Sequence, residues 1–90
     1  MASTIRTTGT NSDPIVTTRQ PGESVGDWVT RHNTSVANAT PSGNKLTTTW
    51  ESANGAQTWP TSRKTGESDG AFQSRHILEY TTAMIENPPI

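Results

Sequence analysis

The polar and apolar positions change period twice along the chain, each time in the same order. Leu46, Thr48 and Trp50 alternate with polar neighbours, and Trp59 and Thr61 continue that alternation after a turn. A period of two predicts paired strands with one buried face. Beyond Gly66-Glu67-Ser68 the spacing lengthens. Phe72, His76, Tyr80 and Met84 recur at four-residue steps, predicting a helix that ends at Glu86, before Asn87-Pro88-Pro89. The first half runs through the same elements. Strands are predicted over 5–8 and 15–19, with a turn from Gly9 to Pro14 between them. A helix follows with Val25, Trp28, Val29, His32 and Val36 on one stripe, ending near Asn38 ahead of Pro41-Ser42-Gly43-Asn44.

Local signals punctuate these elements. Asn54-Gly55 is a strong hairpin turn signal, and as a two-residue turn it would set Ser52 opposite Gln57 and Trp50 opposite Trp59. Pro60 cannot donate to a ladder, so its strand should be irregular or lie at an edge. Ser24 and Ser68 suit helix N-caps, and Asp27 completes an approximate capping box in the first half.

The two halves also match residue by residue. Thr17/Thr61, Arg19/Arg63, Gly22/Gly66, Glu23/Glu67, Ser24/Ser68, Gly26/Gly70, Arg31/Arg75 and His32/His76 are identical at a constant offset. Thr18/Ser62, Trp28/Phe72 and Thr30/Ser74 are chemically close. Upstream, Ile5 matches Leu46 and Thr7-Thr8 match Thr48-Thr49 once three residues are added to the second copy. Such a pattern reads as an internal duplication of a ββα unit. The expected fold class is α+β: a four-stranded antiparallel sheet with two helices packed on one face, related by a pseudo-twofold axis. The expected organisation is a single domain over 1–90, with repeat 1 about 4–39, linker 40–44 and repeat 2 about 45–87.

Composition alone would place the chain near the border of disorder. Leu, Ile, Val and Phe supply 12 of the 90 residues, below the roughly 20% at which disorder is the working assumption. The net charge is only −1, so self-repulsion does not hold the chain open. The 17 threonines favour strands. The repeat tips the balance towards a folded domain, because the large side chains fall where two ββα units would bury them. The absence of cysteine excludes disulfides, thiolate metal sites and a cysteine nucleophile. No apolar h-region follows the N-terminal Met1, and no run approaches a membrane span, so a soluble cytoplasmic protein is expected.

The repeated polar residues are the candidate chemistry. His32 and His76 fall on apolar helix stripes; a shared metal or an acid–base pair is one reading, and burial against the sheet with a threonine or carbonyl partner is the plainer one. Arg19, Arg31, Arg63 and Arg75 are candidate binding residues, for an anion at the helix start. Their plainer reading is an Arg19–Glu23 and Arg63–Glu67 bridge at each strand-to-helix corner, with Arg31 and Arg75 on the solvated flank. Gly-Glu-Ser lacks the spacing of a phosphate-binding loop, and a cap serine is committed to backbone N–H groups. No enzyme, metal or cofactor is therefore expected. The expectation is an interaction module that binds another protein through a sheet face or edge, as a monomer or weak homodimer. The alternatives are nucleic-acid binding by the repeated arginines, disfavoured by seven basic against eight acidic residues, and a small metal or acid–base site at His32 and His76.

Overall fold

A computed structural model describes residues 3–90; Met1 and Ala2, at the start of the N-terminal segment considered above, lie outside the described residues. Four strands and two helices follow in the order β1 (Thr4–Thr8), β2 (Ile15–Thr18), α1 (Val25–Ala37), β3 (Lys45–Ser52), β4 (Gly55–Ser62) and α2 (Asp69–Glu86). The strands form one antiparallel sheet in the order β2-β1-β3-β4, so β1 pairs with β3 at the centre and β2 and β4 are the edges. The fold is α+β. The Cα radius of gyration is 12.6 Å, close to the roughly 12 Å expected of a compact chain this long, so the sparse apolar content suffices for collapse.

The period-2 pattern decides which face is buried. Ile5 and Thr7 of β1, and Leu46, Thr48, Trp50 and Ser52 of β3, point under the helices, while Arg6, Lys45 and Glu51 point to solvent. Trp28, His32 and Val36 of α1 and Phe72, His76, Tyr80 and Met84 of α2 are buried against that face. Ile5, Trp28, Trp50, Tyr80 and Met84 form the central cluster, drawn from both halves of the chain. The helices start as expected: the Ser24 hydroxyl accepts from Asp27 N–H and the Ser68 hydroxyl from Ala71 N–H.

One expectation is corrected. The β3–β4 hairpin places Ser52 opposite Gly55, Trp50 opposite Gln57 and Thr48 opposite Trp59, so the two tryptophans do not face each other. An Asn-Gly two-residue turn needs positive φ at Asn54, and no described non-glycine residue has one. Gly55 alone takes the left-handed position, at φ +100°, and the turn falls one residue earlier, on Ala53-Asn54. The register moves by two residues, which keeps every side chain on its expected face. The segment 40–44 also makes backbone contacts with the chain after β1. Thr40 and Ser42 exchange backbone hydrogen bonds with Asn11 and Gly9, and Thr10 bridges Pro41, extending the central pairing past the end of β1. Pro60 does lie in an edge strand, opposite Thr47.

Candidate functional site

The two histidines are held by threonines, one from each strand. His32 Nδ1 lies 2.7 Å from Thr17 Oγ1 on β2, and its Nε2 lies 2.8 Å from Thr7 Oγ1 on β1. His76 Nδ1 lies 2.6 Å from Thr61 Oγ1 on β4, and its Nε2 lies 2.8 Å from Thr48 Oγ1 on β3. Thr7 and Thr48 stand opposite each other in the β1–β3 ladder and join the two sets with a 2.7 Å hydrogen bond. The Tyr80 ring sits edge-on to both imidazoles, and its hydroxyl donates to Asn33 Oδ1. Both histidines are fully buried. Burial pushes each imidazole from its ordinary value of 6.5 down to about 4; the charges of His76 and Arg31 add to this at His32, while at His76 Glu79 partly opposes it. All four ring nitrogens have hydroxyl partners, so a shared metal would first have to displace them. Among the described residues no three His, Asp or Glu side chains converge as metal ligands.

The arginines take other partners than expected. Arg31 binds the Glu23 carboxylate through Nε at 3.0 Å and Nη2 at 2.8 Å, and donates to Thr18 O at 2.6 Å. Arg75 does the same with Glu67, at 2.9 and 2.7 Å, and with Ser62 O at 2.7 Å. The helix arginine, eight residues on, lies over the corner with its planar fork matched to the carboxylate. Hydrogen bonds from Arg31 and Arg75 hold Glu23 and Glu67 at about 2. Arg19 and Arg63 instead reach the backbone carbonyls of Glu23 and Glu67 and stack over Trp28 and Phe72, at 5.7 and 4.7 Å from the ring centres. Arg63 also pairs with Asp69 at 2.8 Å. The six residues singled out in the sequence thus fall into two separate arginine corners and one buried histidine line. They do not share a cleft.

An open groove lies elsewhere, between β4 and α2. It has a volume of about 590 Å³, and its lining includes Trp50, Trp59, Leu78, Glu79, Thr82 and Glu86. Trp59 is 38% exposed and Leu78 66%, so large apolar surface faces solvent beside the edge strand. Glu79 is its best-positioned charge: Oε1 accepts from Trp59 Nε1 at 3.1 Å and from Thr61 Oγ1 at 3.2 Å, and Oε2 pairs with Arg75 at 3.0 Å. The Trp59 hydrogen bond, with those of Arg75 and Thr61, keeps its carboxyl below the ordinary value against some desolvation. Leu78, Glu79 and Glu86 lie off the apolar stripe, so no periodicity in the sequence singles them out. Glu79 leaves one trace there, since it stands where the first half has Ser35 at the constant offset of the matching residues.

No family model, curated protein or solved structure matches this chain.

Proposed function

We propose that this chain is a non-catalytic protein-interaction module. It binds an extended, cationic peptide segment along the free edge of β4, with a lysine or arginine side chain over the β4–α2 groove. The observation that carries this reading is the conjunction of an eight-residue edge strand with that groove. An edge strand offers main-chain hydrogen bonds to an added strand. Trp59 and Leu78 offer apolar contact to an aliphatic stem, and indole faces favour a cation. Glu79 and Glu86 line the groove, and among the described residues lining it there is no lysine, arginine or histidine. Arg75 already neutralises Glu79, so the preference for a cation rests on Glu86 and on the Trp59 indole face. The repeated residues support the non-catalytic part, since Ser24 and Ser68 cap helices and the histidines are saturated by threonines.

We further read the scaffold as a single domain over 1–90, made of two copies of one ββα unit about a pseudo-twofold axis. The equivalent Arg31–Glu23–Thr18 and Arg75–Glu67–Ser62 corners and the equivalent threonine–histidine pairs support this.

The experiment is a titration of the full ¹⁵N-labelled chain with a Thr-Lys-Val-Lys-Thr peptide amide and its glutamate counterpart. The lysine peptide should move the Trp59 indole N–H and the β4 amides, leave the buried Trp28 indole in place, and lose its effect in Leu78→Lys. Equal shifts from both peptides, or none at Trp59, would overturn the reading.

A further inference from the structure

Six buried side chains form an unbroken line across the sheet: Thr17, His32, Thr7, Thr48, His76 and Thr61. The four threonines belong to β2, β1, β3 and β4 in spatial order, so the line crosses every strand. Its proton order can be worked out by counting. Each hydroxyl has one proton to donate, and each neutral imidazole has one N–H and one accepting nitrogen. Thr7 and Thr48 each have two partners in the line, so each accepts from one and donates to the other. Fixing the direction of any one link therefore fixes all the others. Two orders satisfy the line, and in both the histidines hold opposite tautomers.

The end of the line selects between them. Thr61 Oγ1 lies 3.2 Å from Glu79 Oε1, and an ionised carboxylate accepts only. The Thr61 proton therefore points to Glu79, and Thr61 must accept from His76 Nδ1–H. His76 Nε2 then accepts from Thr48, Thr48 from Thr7, and Thr7 from His32 Nε2–H. His32 Nδ1 accepts from Thr17. In the first half the position matching Glu79 is Ser35, whose hydroxyl donates to Arg31 O instead, so the opposite end has no competing carboxylate from that position.

We propose that Glu79 sets the proton order of this line, holding His32 as the Nε2–H tautomer and His76 as the Nδ1–H tautomer. The charge state of a carboxylate in the groove is thereby registered at Thr17, on the opposite edge strand. The reversal needs no backbone movement: each proton moves one place along the line, Thr61 passes its own proton to the Glu79 carboxylate, and Thr17 regains one from solvent. It is independent of what the groove binds.

Long-range ¹H–¹⁵N correlation of the imidazoles at pH 7 tests it on the unaltered full chain. The expected result is an unprotonated Nδ1 in His32 and an unprotonated Nε2 in His76. In Glu79→Ala the line loses its terminal acceptor, and both rings should give averaged shifts between the two tautomers. The same tautomer in both histidines, or the reverse order, would overturn the proposal; so would an unchanged pattern in Glu79→Ala. The wild-type spectrum decides the first two outcomes even if the variant does not fold.

Discussion

At the residue scale, the histidine line makes stability depend on pH with a defined sign. His32 and His76 titrate at about 4 when folded and at the ordinary 6.5 when unfolded. Between those values the unfolded chain binds more protons, so stability falls as the pH drops from 6.5 to 4 and is fully recovered above 6.5. Each histidine should account for about 3 kcal/mol of that loss. Glu23 and Glu67 act lower: their contribution is present above 4.5 and is lost as the pH falls towards 2. Urea midpoints measured from pH 7 to 4 should slope downward with acid, and His76→Gln should remove about half the slope. The threonines separate by face in the same way. Thr7→Val leaves a histidine nitrogen and a hydroxyl short of partners, at about 1–3 kcal/mol for each group left unpaired, whereas Thr4→Val on the open face should stay within about 0.5 kcal/mol. Equal urea stabilities for the two variants would show that the line is not worth its burial.

At the scale of elements, caps and glycines carry the testable content. Ser24→Ala and Ser68→Ala each remove a hydroxyl that accepts a helix N–H, and each should cost about 1 kcal/mol in thermal or urea unfolding. Gly9 is more demanding. It sits at φ +94°, and a Cβ there would come within 2.2 Å of the Lys45 carbonyl oxygen, on the strand across the seam. Gly9→Ala should therefore cost about 3 kcal/mol or more, from left-handed strain and overpacking together. Gly55, at φ +100° with open space around it, should cost only the strain, about 1–2 kcal/mol. The same glycine shows how far local signals reach. Asn54-Gly55 marks a hairpin at the right place, but which residue takes the left-handed conformation depends on the whole β3–β4 pairing.

For the whole molecule, the two halves are joined through groups that neither could satisfy alone. β1 pairs with β3, Thr7 with Thr48, and Gln73 of α2 donates to the carbonyls of Val36 and Ala39 at the end of α1. Tyr80 packs against the histidines of both helices. A peptide of residues 1–44 would leave β1 as a second open edge and Thr7 without Thr48. It should be unfolded, or dimerise to rebuild the seam. Circular dichroism with sedimentation will tell these outcomes from a stable folded monomer, which would show that the seam is not required.

The division between sequence and tertiary structure follows range. Ser24, Ser68, the period change after each Gly-Glu-Ser and the prolines at the ends of α1 and α2 act within a few residues, so the six elements and their buried faces were legible in the chain. The residue-by-residue match between the two halves of the sequence picked out His32, His76 and the four arginines as belonging together by type. Their partners were not legible. Eight-residue reach across a corner gave Glu23 to Arg31 and Glu67 to Arg75, and a hydroxyl from each of four strands saturated the histidines. The groove depended on which strand became the edge beside α2, and Glu79 gained its place from that packing alone. Side-chain identity and spacing are local properties. Hydrogen-bond partnership in a buried site is decided only when distant strands come together, because satisfying one group there constrains the next.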